Sequence, residues 1–309
     1  MPELPEVETT VRGLKEKVTG LKITDVWTDL GKKKLSLPHF KNTIKDASFL
    51  PTLRKKIIGK KITSVTRRAK NILIHFENGE TMLIHLKMTG HLLVGVYDFD
   101  KKNNFWSVHK KEKNEALRDP YNRFVHVVFS LSNQSHLVFC DSRKFGKVAL
   151  VPPCVLHDSC YMLHDIGPEP LDKKFTEKIL IESLMKKKNA PTKTALMDQS
   201  LVAGIGNIYS DEILFKANVS PTRKVNDISK KEFGVIFKYI KIILTKGIDF
   251  GGDSMSDYRN IEGRRGEFQK KHNVYRKKGE LCGKPGCSGT IKRIVVGGRS
   301  AHFCDSHQK

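Results

Sequence analysis

The 309-residue chain is predicted to be an α+β protein: an N-terminal helix, a β-rich first half, a helical second half and a small cysteine-bearing end. Three observations predict this. Apolar residues recur at helical spacing over 5–18 and again after residue 171. Between them, around 71–86 and 125–140, short apolar runs flank polar turns at hairpin spacing. At the end, two pairs of metal-ligand residues bracket a Gly-Gly turn.

The elements follow in order. Residues 5–18 form a helix, with Pro5 suited to its start and Glu6 and Glu8 near its positive end. Val7, Val11 and Leu14 share one face, and Lys15 and Lys17 sit near the C-terminal end. Asn71–Phe76 and Thr81–Leu86 flank Asn78-Gly79, a hairpin signature. Val125–Leu131 and Ser135–Cys140 repeat the pattern, which predicts a sandwich or flattened barrel. The polar, lysine-rich 98–119 stretch is expected to be a long exposed loop. Gly167-Pro168-Glu169-Pro170 punctuates a linker. The expected organisation is a first domain at 1–160, a linker at 161–171, a helical domain at 172–275 and a terminal module at 276–309. Helices are expected at 175–186, 192–200, 207–216 and 229–247, followed by a glycine-rich functional loop at 251–266.

Composition narrows the function. Hydrophobic residues at 39% and charged residues at 29% exclude a disordered chain. No apolar run approaches the ~20 residues of a membrane span. The polar N-terminus lacks the layout of a signal peptide, so a cytoplasmic protein is expected. Lys and Arg number 56 against 33 Asp and Glu, a net charge of +23. Nucleic acid is the leading partner for such a surface.

Cys282-x4-Cys287 and Cys304-x2-His307 flank the strand–turn–strand pattern at 292–303. Two close ligand pairs across a hairpin are the spacing by which four ligands converge on Zn2+. So short a segment cannot bury its own core, and a metal would supply the folding energy. His302 competes with His307 for the fourth position. Cys140, Cys154 and Cys160 are expected to pack as small hydrophobes.

Removal of Met1 would leave Pro2 with a free secondary amine. An α-amino group is about one-tenth neutral at pH 7, far more than a lysine. A neutral amine attacks an aldehyde carbon, and a secondary amine then gives an iminium that stays cationic, an electron sink. Glu3 beside it is a proton donor or acceptor, and the helix N-terminus favours the neutral amine.

Met1-Pro-Glu-Leu-Pro-Glu-Val-Glu-Thr-Thr10 resembles the opening of the formamidopyrimidine-DNA glycosylases. The resemblance runs end to end through Arg68-Ala-Lys70, His85-Leu-Lys-Met-Thr-Gly90, Asp141-Ser-Arg-Lys-Phe-Gly146, Gly167-Pro-Glu-Pro-Leu171, Leu196-Met-Asp-Gln199, Val202-Ala-Gly-Ile-Gly-Asn-Ile-Tyr209, Gly251-Gly252 and Ile294-Val-Val-Gly-Gly-Arg299. It implies an N-terminal helix with a β-sandwich, a helix–two-turns–helix domain and a zinc-finger hairpin. The implied activity is base-excision repair of oxidised purines, 8-oxoguanine and formamidopyrimidines, in duplex DNA. Pro2 would be the Schiff-base nucleophile and Glu3 the proton donor, with β,δ-elimination following. Lys70 and Arg299 would contact phosphate and supply protons for the β and δ steps. Glu6 would position the helix. Met88, Arg143 and Phe145 would fill the gap left by the flipped base and read the orphaned cytosine. His85, Lys193, Asn207 and Tyr275 would contact DNA. One structural zinc and a monomer acting in the cytoplasm at the nucleoid are implied.

The chain departs from that pattern in three places. The family's finger uses four cysteines, with two residues inside the first pair; 98–119 is longer than usual; and 251–266, where lesion choice sits, varies. The alternatives are an endonuclease-VIII-like oxidised-pyrimidine glycosylase and a non-catalytic DNA-damage binding protein. Leu4, where the first alternative usually carries glycine, argues against it, and Pro2-Glu3 argues against the second.

Overall fold

The computed structural model describes residues 1–31, 42–151, 163–255 and 257–309. The chain forms two compact units, Met1–His164 with Gly251–Glu267, and Asp165–Phe250 with Phe268–Lys309. The 251–267 segment therefore belongs with the β-rich unit and interrupts the stretch expected as one helical domain. Cys154 and Cys160 lie outside the described residues.

The first unit is a sandwich of two four-stranded antiparallel sheets. Helix α1 (Leu4–Val18) starts one residue earlier than expected and buries Val7, Val11, Leu14 and Val18. One sheet runs in the order β10 (Lys147–Val151), β4 (Thr81–His85), β3 (Asn71–Phe76), β2 (Ile62–Arg68). The other runs β1 (Ile23–Thr28), β8 (Val125–Leu131), β9 (His136–Asp141), β5 (Gly90–Gly95). Ile72, Ile74 and Ile84 from one sheet and Leu92, Phe129 and Phe139 from the other share one core with α1 and with α2 (Phe49–Ile57). After β2 the chain changes sheet twice, through 86–89 between β4 and β5 and through 142–146 between β9 and β10. Register sets both crossovers at the same rim: Gly90 pairs with Asp141, and Lys147 with His85.

The 98–119 segment is not a plain loop. It contains most of a hairpin, β6 (Tyr97–Asp100) and β7 (Phe105–Val108), and a one-turn 3-10 helix at Glu115–Arg118. The reason is a second apolar layer. Tyr97 and Leu117 close over Leu93, Val128, Val138 and Cys140 on the outer face of the sheet, with Trp27, Trp106 and Val108 packed beside them. Cys140 is thus a packed thiol, as expected, and burial pushes its pKa up.

The second unit carries α3 (Glu177–Met185), α4 (Thr192–Met197), α5 (Asn207–Ala217) and α6 (Lys230–Asp249), all within the expected spans to a few residues. Ser229 and Glu232 close a capping box on α6. The terminal hairpin, β11 (Ile291–Val296) with β12 (Arg299–Cys304), completes the unit.

Candidate functional site

Four groups of expected site residues are each brought together locally. The first is the start of α1. Pro2, Glu3 and Glu6 are all buried. Glu3 caps the helix, and its backbone N–H donates to Glu6 Oε2 at 2.7 Å. Glu6 Oε1 accepts the backbone N–H of Asp253 at 2.7 Å. The Glu6 carbonyl accepts from Thr10 Oγ1 at 2.9 Å and Tyr258 Oη at 3.0 Å. Glu6 therefore joins the helix start to the 251–266 loop, and its carboxylate is fully engaged in that task.

The second group is the rim where the crossovers leave the sheets. Lys70 lies in the two-residue turn between β2 and β3, where Arg68 pairs with Asn71. Arg67, two residues before Ala69, donates to Glu8 of α1 at 2.8 Å, tying the helix to this turn. Burial opposes ionisation of Glu8, but Arg67 and Arg12 hold its carboxyl below the usual range. His85 sits opposite both Asn71 and Lys147. Its Nδ1 accepts the Lys87 backbone N–H at 2.9 Å, which fixes the neutral tautomer with the proton on Nε2. Burial, then Lys87, Lys70 and Lys147, push its pKa down to about 3. It can donate one hydrogen bond but carries no charge at neutral pH.

The third group is the apolar wedge. Met88 and Phe145 are 41% and 47% exposed, unusual for such side chains. Arg143 lies across both, with Nη1 3.2 Å from Met88 Sδ and its guanidinium 4.4 Å from the Phe145 ring centroid. Beneath them the buried Asp141 accepts hydrogen bonds from Thr89 Oγ1, from the Arg143 N–H at 3.2 Å and from the Gly146 N–H at 2.6 Å. One carboxylate thus joins the two crossovers, and three residues from two separate motifs form one exposed tip.

The fourth group lies in the second unit. Asn207 is the first residue of α5, after a turn braced by Gln199, which donates to the Ile205 carbonyl and accepts from the Gly204 N–H. Its Oδ1 is buried without a hydrogen-bond partner among the described residues. Lys193 differs from expectation. It is 0% exposed and paired with the equally buried Asp211, so it has no surface to offer a phosphate. Its Nζ also donates to the Asn207 carbonyl at 3.3 Å, which makes it a support for that turn. Asp211 further accepts the N–H and Nδ1 of His302 at 2.9 and 3.0 Å. Tyr275 is half-buried, edge-on to His272 and His302, with its N–H on Glu212. Arg299 is exposed just after Gly297-Gly298, at the tip of the hairpin. Both glycines have positive φ, 56° and 75°, as a two-residue turn of this hand requires.

At the other end of that hairpin the sulfur and nitrogen ligand atoms of Cys282, Cys287, Cys304 and His307 all lie within 4.8 Å of one another. Cys282 Sγ is 3.4 Å from His307 Nδ1, and the Cys287 and Cys304 sulfurs are 3.6 Å apart. These separations and this donor set suit one tetrahedral zinc ion. The choice between the two histidines falls to His307, because His302 Nδ1 is already bonded to Asp211.

Two family models match most of the chain: the formamidopyrimidine-DNA glycosylase N-terminal domain matches residues 1–148 and the H2TH domain of the same enzymes matches 166–259. The protein belongs to the formamidopyrimidine-DNA glycosylase family. Its relatives include the formamidopyrimidine-DNA glycosylases of Roseobacter denitrificans, 36% identical over all of both chains, and of Pelotomaculum thermopropionicum, 37% identical over 100% of this chain and 99% of that one. The structure is similar to Lactococcus lactis Fpg in complex with DNA containing an abasic site, at a TM-score of 0.80, 30% identity and 99% coverage of each chain. It is also similar to MutM in complex with DNA containing carbocyclic 8-oxo-G, at 0.79, 30% identity and full coverage of both.

Proposed function

We propose that the protein is a bifunctional DNA glycosylase and abasic-site lyase of base-excision repair, removing 8-oxoguanine and formamidopyrimidines from duplex DNA. The observation that carries this reading is the rim of the first unit, where the capped start of α1, the Lys70 turn, His85 and the Met88–Arg143–Phe145 wedge are tied together by Glu8, Arg67 and Asp141.

The wedge enters the stack as the damaged nucleotide leaves it, replacing lost stacking, and Arg143 donates to the orphaned cytosine. The Pro2 nitrogen, freed of Met1, attacks C1′ as the bond from C1′ to the base breaks. Glu3 supplies the proton that opens the sugar. The resulting iminium acidifies the C2′ proton; its loss expels the 3′ phosphate, and a second elimination expels the 5′ phosphate. Lys70 and Arg299 grip the flanking phosphates and deliver protons in these steps, while Asn207, Tyr275 and His85 hold the backbone. Zinc, when bound, supplies folding energy to the finger that carries Arg299. In this reading residues 1–160 carry the chemistry together with the 251–267 loop, and the helices and finger hold the duplex. The protein works as a monomer in the cytoplasm, on the nucleoid.

The test is borohydride trapping on one duplex with 8-oxoguanine opposite cytosine and one with an abasic site, with the adduct mapped by mass spectrometry. The expected result is a crosslink at Pro2 on both. Trapping on the abasic duplex alone would redirect the search to oxidised pyrimidines. Tight binding with no adduct on either would make the protein a damage sensor.

A further inference from the structure

The two halves of the 251–266 loop are held by different parts of the first unit. Its beginning is bound to the catalytic helix through Asp253 and Tyr258 on Glu6. Its later stretch, 259–264, is held by residues 112–122, which run from the end of the 98–119 segment, read in the sequence as a polar loop, to just past it. Asn114 Nδ2 donates to the Glu262 carbonyl at 2.8 Å. The Asp119 carboxylate accepts from Arg259 Nε and Nη2 at 3.1 and 3.2 Å, a two-pronged pair whose arginine side chain is almost wholly buried. The same guanidinium stacks on the Tyr121 ring at 4.7 Å. Gly263 packs so closely that a Cβ there would lie 2.5 Å from the Ala116 carbonyl oxygen. The Val94 N–H donates to the Ile261 carbonyl at 2.9 Å, fixing the stretch to β5 as well.

We infer that 112–122 is a brace that sets the base-contacting loop, with Asn114 and Asp119 as positioning residues for recognition of the damaged base. This rests on the proposed glycosylase activity and on the loop as the place of lesion choice. A loop tied to the catalytic helix at one end and to the brace at the other has its position over the flipped base fixed from both sides. Displacements of about 1 Å at such a position cost up to roughly a hundredfold in rate. An abasic site has no base to hold, so the brace bears on excision and leaves strand cleavage at an abasic site alone.

Two substitutions separate this from a merely structural role. Asn114→Asp keeps the oxygen that caps the Ala116 N–H but removes the donor to Glu262. Asp119→Asn keeps an acceptor for the Tyr121 N–H but removes the charge facing Arg259. Single-turnover cleavage is measured on a duplex with 8-oxoguanine, one with a formamidopyrimidine and one with a preformed abasic site. Excision is expected to fall about tenfold or more, with a changed ratio between the two lesions. Cleavage at the abasic site should stay within about twofold, and Asp119→Glu should recover part of the excision. Parallel loss on all three duplexes, or no loss on any, overturns the inference. A wild-type protein that traps on no duplex fails earlier, by removing the glycosylase reading itself.

Discussion

Changing Asp211 to asparagine strands a buried ammonium. Both side chains of the Lys193–Asp211 pair are 0% exposed. With the carboxylate gone, Lys193 Nζ keeps the Asn207 carbonyl at 3.3 Å but no longer faces a neutralising charge. Removing one partner of a buried pair costs about 3–5 kcal/mol. At about 1.4 kcal/mol per factor of ten, that lowers the folding equilibrium of the second unit roughly a thousandfold. The double variant Lys193→Met/Asp211→Asn removes the stranded charge, fills the space with a side chain of similar length and leaves an oxygen for the His302 N–H. It should recover to within about 1.5 kcal/mol of wild type. The assay is urea unfolding in excess zinc, since metal binding adds to apparent stability. Far-UV circular dichroism follows the helices. The protein's two tryptophans, Trp27 and Trp106, both lie in the first unit, so their fluorescence is an internal control that stays near its wild-type midpoint. A cost below about 1 kcal/mol for Asp211→Asn, or a double variant as damaged as the single, would refute the buried-pair argument.

Three further outcomes are expected. Met88→Ala and Phe145→Ala remove exposed side chains, so stability should change by no more than about 0.5 kcal/mol, whereas excision by single-turnover assay falls roughly tenfold or more. His85 has a folded pKa of about 3 against 6.5, so on acidification the unfolded chain takes up the proton first. His85 therefore destabilises the fold progressively as pH drops from 6.5 toward 3; its ring resonances should show no titration between pH 5 and 8, and His85→Gln should shift acid unfolding to lower pH. Metal analysis should find one zinc per chain, retained in His302→Ala and lost on mild chelation from His307→Ala, with DNA affinity lost in parallel.

What was legible in the sequence was what is local. The α1 start, the Asn78-Gly79 hairpin and the Gly297-Gly298 turn each write their geometry into a few neighbouring residues, and the structure follows them. The ligand set of the finger was legible to its last member, where the clustering of His307 with the cysteines and the Asp211 bond to His302 decide between two histidines. Three features were not legible because they arise from distant contacts. The β6–β7 hairpin hides among lysines, and the need for it comes from the apolar outer face of a sheet whose strands extend from β1 to β9 along the chain. Lys193 reads as one more surface cation in a basic protein until Asp211, 18 residues on, buries it. The clasp of Asn114 on Glu262 spans 148 residues, and no local pattern announces it.

The placement of the acids accounts for how a chain of net charge +23 keeps its cationic surface without giving up ordered turns. Glu6, Asp141, Asp211 and Glu212 are all buried; Glu6, Asp141 and Glu212 accept backbone N–H groups at a turn or helix start, and Asp211 accepts one from strand β12. Glu6 takes Glu3 and Asp253, Asp141 takes Arg143 and Gly146, Asp211 takes His302, and Glu212 takes Asn273, Val274 and Tyr275. A carboxylate on backbone N–H groups replaces the water those groups would otherwise need, and its charge is held by those dipoles, and for Asp211 by the buried Lys193, rather than by surface lysines. The same acids on the surface would neutralise Lys87, Arg143 or Arg299 and repel phosphate. Beneath it they stiffen the turns from which those cations and the wedge project. In the proposed mechanism, rigid turns under a basic surface let the protein hold a duplex through its phosphates while the wedge tests each base with a tip that does not yield.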